Sequence, residues 1–504
     1  MECIITIDIN TSAVKVHVYN LNGQDLYSRK GTYPTFHPQP DWSEQDPEQV
    51  FITTLFVVKN LLNEFVLPQK MKVSAICLSG SMHSVLPVNQ KGVPLGNAII
   101  WADNRGIQQV AQLNKSGLSA SIYQHTGTPI HPMSPLMKIA WLQQNQQPHS
   151  AEIDKYISLK EYVIKQLTGE YIVDHSIASS TGLFDIHRLK WHTDALDFAG
   201  IKPSQLSETA SVFYHHLKLK KEYATTWGIS EQTPIILGAS DGCLATLGAG
   251  IVGEGKATIT IGSSAAVRVA GKSVLEDTQQ RLFNYILAEG YYISGGPSNN
   301  AGVVFEWFAK QFGDFSGDLS LDEVIDDLFK SIAQIKVGSE GLIFLPYLLG
   351  ERAPIWNANA RGTYFGLNIN HTQQHITRAT LEGILFEIYS IGKLLEQFRI
   401  FDHLYVNGTF ASHPICLQIL ADMFGKNIAT NLQHDGVSTG AALMTLTHLG
   451  VFSHLEEASK TVRYDQIWEA NPQNHQKYQQ YFTLFQRLTD KLSDEFDLLA
   501  SIGE

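Results

Sequence analysis

An aspartate, Asp8, ends the first apolar run of the chain, and the hydroxyl-bearing residues Thr11 and Ser12 follow it closely. A carboxylate is poor strand material and needs a partner or solvent there. Magnesium in proteins takes only one or two carboxylates and leaves its other positions to water and substrate phosphates. Asp8 is therefore a candidate magnesium ligand, and an aspartate that caps a β-turn is the alternative interpretation.

A second aspartate, Asp241, lies among small residues between a short apolar strand that ends at Gly238 and an apparently helical segment, residues 243–250. Small neighbours leave room for a substrate to approach a carboxylate, as a catalytic base requires. In phosphoryl transfer to an alcohol, such an aspartate accepts the hydroxyl proton while donors stabilise the phosphate charge. The alternative interpretation is an N-cap for the following helix.

Two short stretches about half a chain apart are nearly the same: residues 11–16 read TSAVKV and residues 264–269 read SAAVRV. Each follows a strand-like run and leads through small hydroxyl-bearing residues into a second strand. Such an internal duplication is typical of a two-lobed fold in which each lobe offers one loop to the same ligand. Turn N–H groups and hydroxyls donate to phosphate oxygens, so the pattern predicts a polyphosphate ligand. A plain β-hairpin is the alternative.

Polar groups also follow two other apolar runs, at residues 79–83 (SGSMH) and residues 101–105 (WADNR). Polar and aromatic groups at the ends of neighbouring strands converge on the crevice where open α/β sheets bind small ligands. Trp101 can pack against the carbon chain of a polyol, and Asp103 and Arg105 can hydrogen-bond its hydroxyls or a carboxylate. Taken singly, Trp101 could equally be a core residue and Arg105 a surface helix residue.

Composition excludes several classes of function. The formal charge of −12 over 504 residues and the lack of a basic run argue against a nucleic-acid partner. The N-terminus has no secretory pattern, and no apolar stretch reaches the roughly 18 residues of a membrane helix, so we expect no membrane partner. Four widely spaced cysteines without a CxxC motif predict buried free thiols in a reducing cytoplasm.

The secondary-structure elements that position these residues are predicted to alternate between strands and helices, as in an α/β fold. A three-strand meander is predicted in the N-terminal third and restarts near Lys256, each with helices packed on its sheet. The predicted strands are 2–9, 13–20, 24–33, 72–79, 235–237, 256–261, 264–270 and 284–294. The predicted helices are 47–65, 103–114, 299–313, 320–335, 372–398, 413–424 and 437–449. Residues 148–201 read as a helix followed by loops, and a strand-free helical tail extends to Glu504.

Two longer patterns carry a family resemblance: residues 133–145 (MSPLMKIAWLQQN), and residues 362–382, which begin with GTYFGL and end with ATLE. With them, the chain resembles the carbohydrate kinases of the FGGY family from about residue 3 to about residue 450. The resemblance implies a two-domain α/β fold of the actin, Hsp70 and hexokinase group, with a ribonuclease H-like motif and a cleft between lobes. It also implies that Asp241 is the base, that Asp8 serves magnesium, and that Met82 and His83 touch the sugar.

Within the family, residues 101–105, 126–136 and 350–354 most resemble gluconate kinases, and xylulokinases are the nearest rival. Because gluconate carries a carboxylate, its site needs a positive or strongly donating group. Arg105, His131 and Lys160 are the candidates. The substrate-binding set is therefore predicted to be Ser81, Met82, His83, Trp101, Asp103, Arg105, His131, Lys160 and Asp241.

For the nucleotide, the resemblance implies contacts from a larger set: Thr11, Ser12, Lys15, Gly262, Ser263, Ser264, Gly302, Glu306, Gly408 and Thr409. Three residues depart from the family pattern, since Asn10, Ala265 and Thr409 stand where glycine is usual. Asparagine tolerates left-handed backbone well, so Asn10 is a mild change. A β-branched residue at a turn that needs positive φ costs of order 1–2 kcal/mol, so Thr409 predicts weaker ATP binding or a changed nucleotide preference.

Together these features predict a cytoplasmic, Mg²⁺-dependent kinase that transfers the γ-phosphoryl group of ATP to the terminal hydroxyl of D-gluconate. Residues 1–248 are expected to form the sugar-binding lobe with the first phosphate loop and the base, and residues 249–504 the nucleotide-binding lobe. Family members are often dimers, so a homodimer is an expectation. Alternatives are another sugar kinase of the family, such as a xylulokinase, and a non-catalytic sugar or nucleotide sensor on the same fold.

Overall fold

The computed structural model describes residues 1–145, 150–316, 319–408, 410, 413–430 and 435–502. The strands of these ranges are β1 (Glu2–Ile9), β2 (Ala13–Asn20), β3 (Asp25–Thr32), β4 (Glu44–Gln45), β5 (Lys72–Gly80), β6 (Leu86–Val88), β7 (Ala98–Ile99), β8 (Lys155–Ile157), β9 (Ile172–Asp174), β10 (Phe184–Asp185), β11 (Lys190–Trp191), β12 (Glu208–Ala210), β13 (Ile235–Ile236), β14 (Gly255–Ile261), β15 (Ala265–Gly271), β16 (Phe283–Ala288), β17 (Tyr291–Ser298), β18 (Ile343–Leu345), β19 (Thr363–Phe365), β20 (Phe401–Asn407), β21 (Ile428–Thr430) and β22 (Gln466–Trp468).

The α-helices of the same ranges are α1 (Pro47–Leu61), α2 (Ile107–Ser116), α3 (Ser119–Thr126), α4 (Pro135–Gln144), α5 (Leu159–Thr168), α6 (His175–Ser179), α7 (Thr193–Ala199), α8 (Lys221–Trp227), α9 (Asp241–Gly248), α10 (Gly302–Phe312), α11 (Leu321–Ser331), α12 (Gln373–Glu396), α13 (Pro414–Phe424), α14 (Gly436–His448), α15 (Leu455–Ser459) and α16 (Pro472–Ile502). A π-helical turn, Leu62–Val66, extends α1. Short 3₁₀ turns lie at Ser150–Glu152, Pro203–Gln205 and Ser339–Gly341.

The chain forms two compact units that exchange segments. Unit 1 contains Met1–Gly253, Ala270–Ser294 and His434–Val462, and unit 2 contains Glu254–Val269, Gly295–Gln433 and Arg463–Glu504. Each unit is therefore discontinuous in sequence. The predicted division into two domains at residue 248 stays a prediction. The two compact units differ from such a division because unit 1 also contains Ala270–Ser294 and His434–Val462.

Unit 1 is built on a five-stranded sheet with the order β13-β5-β1-β2-β3. Strand β1 is buried apart from its first residue and is mostly apolar, and it pairs antiparallel with β2 and parallel with β5. In this register Asp8 lies opposite Ser79 of β5 and Lys15 of β2. An isolated parallel bridge joins Gly80 to Ser240. The ends of β1 and β5 and the segment before α9 thus meet at one edge of the sheet.

Helix α1 packs on this sheet. Asp46 caps its N-terminus by accepting the N–H groups of Glu48 and Gln49. Together with the π-turn, the stretch Pro47–Val66 is long and apolar enough to cross a membrane by length and composition, which corrects the expectation that no stretch reaches that length. Its buried side chains, such as Val58, lie in the core of unit 1 with those of β1 and β2, as expected of a core helix.

Unit 2 repeats the same strand arrangement. Strands β14 and β15 pair antiparallel, and β14 also pairs parallel with β20, as β1 does with β2 and β5. The strand order continues through β21 and β22. Helix α12 is buried along most of its length and packs against α13 and α16. The predicted duplication is confirmed: each sheet contains a strand, a turn and a second, antiparallel strand, β1–β2 in one and β14–β15 in the other.

Several predicted boundaries are wrong. Residues 284–294 are two strands, β16 and β17, because the chain reverses at Gly290, whose φ is 78°. The segment 148–201 contains α5, α6 and α7, separated by short strands. Strand β22 precedes the terminal helix α16, so the tail is not strand-free. All four cysteines are free and buried, as predicted.

Candidate active site

Asp8 is buried at the edge of the unit 1 sheet, with 1% of its surface exposed. Neither of its carboxylate oxygens has a hydrogen-bond partner within the part of the chain that the structure describes. Burial, together with repulsion from Asp241 and Asp435, raises the pKa of Asp8 to about 7. Since a turn-capping aspartate would accept a backbone N–H, the alternative interpretation of Asp8 as a turn cap is wrong.

Asp241 is the first residue of α9, directly after Ser240, which bridges to the end of β5. Its Oδ1 accepts the N–H of Gly242 at 2.7 Å, and its side chain is half-buried. The helix cap is Ser240, so the N-cap interpretation of Asp241 is wrong. Asp8 lies opposite Ser79 and Asp241 follows the bridge from Ser240 to Gly80, so the two carboxylates lie at the same end of the sheet. The charge of Asp241 contributes to the raised pKa of Asp8.

The first loop, residues 10–12, is held by side chains from three other segments of the chain. The Tyr33 hydroxyl donates to the carbonyl of Asn10, and the Gln45 amide donates to the carbonyl of Thr11. The indole N–H of Trp101 donates to Thr11 Oγ1 at 3.0 Å, so this residue of the predicted sugar site contacts the predicted phosphate loop. Ser12 is the exposed residue of the turn.

The backbone of Asn10 does not use the left-handed conformation that the substitution for glycine suggested. Its amide closes the turn by donating to the carbonyl of Ala13 at 3.0 Å. Its side-chain Oδ1 accepts the N–H of Thr11 at 2.6 Å. Asn10 therefore occupies the backbone donor of Thr11 without straining the backbone of the loop.

Lys15 forms an ion pair with Asp435, a residue that the sequence analysis did not select. The Lys15 Nζ to Asp435 Oδ2 distance is 2.6 Å. Burial works against both charges, yet the pairing holds the pKa of Lys15 above its ordinary value and that of Asp435 below it. Asp435 also caps α14 by accepting the N–H of Ser438. An aspartate just before the predicted helix 437–449 was the signal that could have identified it.

Residues 81–83 follow the end of β5. The Ser81 N–H donates to the carbonyl of Ile9, and Met82 is half-buried. His83 is buried with a φ of 68°, and its Nδ1 lies 2.8 Å from the carbonyl oxygen of Ser180. Its Nε2 lies 3.4 Å from the hydroxyl of Tyr285 in β16. The imidazole is therefore oriented by groups on both ring nitrogens.

A fully buried lysine that was not among the predicted site residues supports this turn. Lys138 donates from Nζ to the carbonyls of His83 and Met133, each at 2.7 Å. Burial lowers the pKa of Lys138 to about 7. The lysine lies in the pattern 133–145 that carries the family resemblance, but nothing in the sequence shows which carbonyls it reaches.

Asp103 and Arg105 are bound to each other. The Arg105 guanidinium donates from Nε and Nη2 to the two Asp103 oxygens at 2.8 and 2.7 Å, and Nη2 also donates to Glu44 at 2.6 Å. Its carbon centre stacks 3.7 Å above the ring of Trp42. The Arg105 guanidinium is thus already bound by Asp103, Glu44 and Trp42 in a buried network. It is therefore a weaker candidate ligand for a substrate carboxylate.

Lys160 is also engaged by a carboxylate. Its Nζ lies 2.7 Å from Asp174 Oδ2, and each of the two side chains is only 1% exposed. His131 differs from both cations because it is half-buried and its Nδ1 accepts the N–H of Met133 at 3.2 Å. That hydrogen bond assigns the ring proton to Nε2. Of the three candidate carboxylate ligands, Arg105 and Lys160 are thus held in buried ion pairs, whereas the His131 ring is half-buried.

The second loop lies in unit 2. Gly262 donates its N–H to the carbonyl of Ser264 at 2.9 Å and accepts the N–H of Gly302, also at 2.9 Å, while Ser263 accepts the N–H of Val303. The start of α10 is therefore tied to the loop, and Glu306 lies half-buried one turn farther along that helix. Ala265 begins β15 opposite Ile261 as ordinary strand backbone.

Gly408 follows β20 with a φ of 103°, and any Cβ there would collide with the carbonyl oxygen of Ile261. Only glycine fits this position. Thr409 lies outside the described residues, so its predicted effect on nucleotide binding stays a prediction.

Comparison with known families matches two successive family models to most of the chain. The N-terminal domain of the FGGY family of carbohydrate kinases matches residues 3–248, and the C-terminal domain of that family matches residues 257–449. A gluconokinase of Bacillus subtilis is 32% identical over 98% of this chain and 97% of its own length. A xylulose kinase of Staphylococcus xylosus is 31% identical over 97% of this chain and 100% of its own length.

Two solved structures from Lactobacillus acidophilus are similar along almost their entire length. A ligand-bound xylulose kinase superposes with a TM-score of 0.92 at 32% identity and covers 99% of this chain and 100% of its own. A gluconate kinase gives the same TM-score at 31% identity with the same coverage. These similarities leave both sugars as candidates.

Proposed function

Because the chain belongs to the FGGY family of carbohydrate kinases, we propose that it transfers the γ-phosphoryl group of ATP to the terminal hydroxyl of D-gluconate and forms 6-phosphogluconate. The observation that carries the reaction type is the pair of carboxylates, Asp8 and Asp241, at one end of the unit 1 sheet. The similarity to gluconokinases over the whole chain supports the choice of sugar acid.

Asp241 would act as the general base. In this role it accepts the proton of the C6 hydroxyl as that oxygen bonds to the γ-phosphorus and the bond from phosphorus to ADP breaks. The Gly242 N–H holds one carboxylate oxygen at 2.7 Å, which fixes the orientation of the group before substrate binds. Its half-buried position leaves the carboxylate reachable by a hydroxyl.

Asp8 would hold Mg²⁺, and its environment fits that role. Its two oxygens have no hydrogen-bond partner by geometry among the described residues, and burial raises its pKa to about 7 despite the opposing effects of Ser79 and Lys15. When bound, Mg²⁺ supplies neutralisation of the phosphate charges. In the first loop, the Thr11 hydroxyl, Ser12 and Lys15 would bind phosphate oxygens, and in the second loop residues 262–264 would do the same.

The gluconate carboxylate needs a donor, and His131 is the best candidate on the sugar side. Arg105 and Lys160 are already paired with Asp103 and Asp174. The Nδ1 of His131 accepts the N–H of Met133, which leaves the ring proton on Nε2, and this N–H would donate to the carboxylate. We therefore assign the His131 imidazole as the single donor to the gluconate carboxylate. Met82 and His83 would contact the hydroxyl groups of the sugar acid.

D-xylulose is the second candidate substrate, because a xylulose kinase is 31% identical over the whole chain and another superposes as well as the gluconate kinase does. The sensor alternative is less well supported. Asn10 and Ala265 cause no backbone strain, and both carboxylates are present. Four buried free thiols agree with a location in the cytoplasm, which remains part of this proposal.

Release of ADP from Mg-ATP in the presence of D-gluconate, D-xylulose, glycerol or L-ribulose tests the proposal. We expect turnover with gluconate, a ³¹P signal for a phosphate on C6, and loss of turnover in Asp241→Asn with gluconate binding retained. Turnover with xylulose alone would overturn the substrate but keep the mechanism. Substantial turnover in Asp241→Asn would overturn the assignment of the base, and no turnover with any sugar would favour the sensor.

A further inference from the structure

A buried ion pair lies next to the backbone that precedes the proposed base, Asp241. Lys160 in the first turn of α5 and Asp174 at the N-cap of α6 are 2.7 Å apart, and each side chain is 1% exposed. Removing two charges from water costs several kcal/mol per ion, and a buried pair usually adds little net stability. A role other than stabilisation therefore better explains why this ion pair is present.

The pair reaches the backbone that leads into Asp241. Besides its contact with Asp174, the Lys160 ammonium donates to the carbonyl of Ala239 at 3.3 Å. Asp174 in turn accepts the N–H of Ile177 at 2.8 Å, which fixes the first turn of α6. One buried charge pair thus joins α5 and α6 to the segment 239–240.

Ser176 of α6 holds the next residue of that segment. Its Oγ accepts the N–H of Ser240 at 3.1 Å and donates to Ser240 Oγ at 3.0 Å. All of these groups are buried within unit 1. Three hydrogen bonds from Lys160 and Ser176 therefore converge on the two residues that precede Asp241.

The chain needs such support at this point because it makes a sharp turn. Gly238 has a φ of 68°, and a Cβ there would collide with the carbonyl oxygen of Leu78 in β5. Only the isolated bridge from Ser240 to Gly80 continues the sheet pairing beyond this turn within the described residues. The side-chain contacts from Lys160 and Ser176 therefore act on segment 239–240 in addition to this bridge and to the packing of α9 on α14.

We propose that Lys160, Asp174 and Ser176 form a positioning group, here called the Asp241 brace, that holds segment 239–240 and so sets the location of the Asp241 carboxylate. Lys160 thereby takes a different role from the substrate contact that the sequence suggested. The inference rests on the proposed function in that Asp241 acts as the base. A displacement of about 1 Å at a catalytic group can cost on the order of 100-fold in rate, so the brace affects turnover more than binding.

The test uses the double variant Lys160→Met with Asp174→Asn, which removes the donor to Ala239 without leaving an unpaired buried charge. We expect kcat to fall at least about 10-fold while KM for the sugar and for Mg-ATP changes less than about twofold. Ser176→Ala should lower kcat less, because the Lys160 contact remains. A double variant with unchanged kcat, or with KM raised in proportion to the loss of kcat/KM, would overturn the proposal.

A matched control is the buried pair Arg378 and Glu382 of α12, which belongs to unit 2, whereas Lys160, Asp174 and Asp241 belong to unit 1. Arg378→Met with Glu382→Gln should leave kcat within about twofold, whatever its effect on the melting temperature. If both double variants lose kcat only in proportion to lost folded protein, the role of Lys160 is structural and the proposal fails.

Single substitutions give a readout that a structural role would not produce. Asp174→Asn leaves the positive charge of Lys160 near Asp241 and should shift the acidic limb of the kcat profile to lower pH. Lys160→Met leaves the negative charge of Asp174 and should shift that limb to higher pH. Shifts of the same sign in both variants, or no shift in either, would contradict the brace.

Crystal structures of the wild type and of the Lys160→Met, Asp174→Asn variant separate this inference from the proposed function. Displacement or multiple conformations of residues 239–241 in the variant would support the brace whether or not any sugar is phosphorylated. An unmoved segment would overturn it even in an active kinase. Failure of the wild type to phosphorylate any sugar would overturn the proposed function alone.

Discussion

Asp8 and Lys15 lie directly opposite each other in the antiparallel pair of β1 and β2, yet the Lys15 ammonium binds Asp435 at 2.6 Å. Asp8 is thereby left without a hydrogen-bonded cation among the described residues, although a lysine occupies the neighbouring strand position. A buried carboxylate in this situation favours its protonated form, and its pKa rises to about 7. Under the proposed function, this arrangement leaves Asp8 available to bind Mg²⁺.

The first prediction follows from this raised pKa. Folded Asp8 keeps its proton up to about pH 7, whereas the unfolded chain releases it near the ordinary value of 3.8. The stability from protonated Asp8 is therefore full below pH 3.8 and is lost as the pH rises towards 7. Asp8→Asn should melt higher than the wild type at pH 8.5, by roughly 3 °C or more, with a smaller difference at pH 5.5.

The same variant should lose turnover at least about 100-fold, since its amide is a poor magnesium ligand. Adding Mg²⁺ should raise the melting temperature of the wild type at pH 8.5 and leave that of Asp8→Asn unchanged. A melting difference that does not depend on pH, or an equal response of both proteins to Mg²⁺, would contradict this account of Asp8.

The second prediction concerns Asp435. Asp435→Asn keeps a side-chain oxygen to cap α14 but removes a negative charge that raises the pKa of Asp8. The acidic limb of the pH profile for kcat/KM should move to lower pH by about 0.5 unit or more. The variant also releases Lys15, so the KM for Mg-ATP should fall.

Lys15→Met is the matched counterpart of that variant. It leaves the Asp435 charge without its cation, so the acidic limb should move to higher pH and the KM for Mg-ATP should rise. Movement of the limb in the same direction in both variants would show that neither charge acts on Asp8.

Local pattern was enough to predict the parts of the fold that depend on nearby residues. The strands around Asp8 and the repeated turn before β15 follow from apolar runs that end in small hydroxyl residues. Partners far apart in sequence were not predictable in this way. Lys15 meets Asp435 across 420 residues, and Arg105 meets Glu44 across 61, so burial and charge pairing assign these side chains to roles that their types alone do not show.

The third prediction concerns the departure at Asn10. Its side chain occupies the N–H of Thr11, so Asn10→Ala should free that donor for a phosphate oxygen without adding the flexibility of glycine. We expect the Kd for ADP, measured by calorimetry, to fall about 3–10-fold, because a hydrogen bond to a charged group contributes on the order of 1 kcal/mol or more. Asn10→Asp keeps the acceptor but adds a negative charge, so it should weaken binding. Unchanged or weaker ADP binding in Asn10→Ala would show that the Thr11 N–H does not face the nucleotide.

The last prediction tests how a sugar acid would be recognised. Because His131 accepts the Met133 N–H through Nδ1, its Nε2–H is the ring's donor. His131→Asn offers an acceptor near the Nδ1 position but has no atom at Nε2, whereas His131→Gln extends an amide N–H towards that position. We expect KM for D-gluconate to rise at least about 10-fold in His131→Asn and to recover partly in His131→Gln.

The inhibition constant of D-glucitol, a neutral polyol without the carboxylate, is the control for this pair of variants. It should change less than about threefold in both, because only the carboxylate loses its donor. Equal losses for gluconate and glucitol would mean that His131 shapes the whole sugar pocket and does not select the acid. No loss for either compound would mean that His131 does not bind the carboxylate. A side chain near Met82 or Trp101 would then be the carboxylate ligand, since Arg105 and Lys160 are held in buried ion pairs.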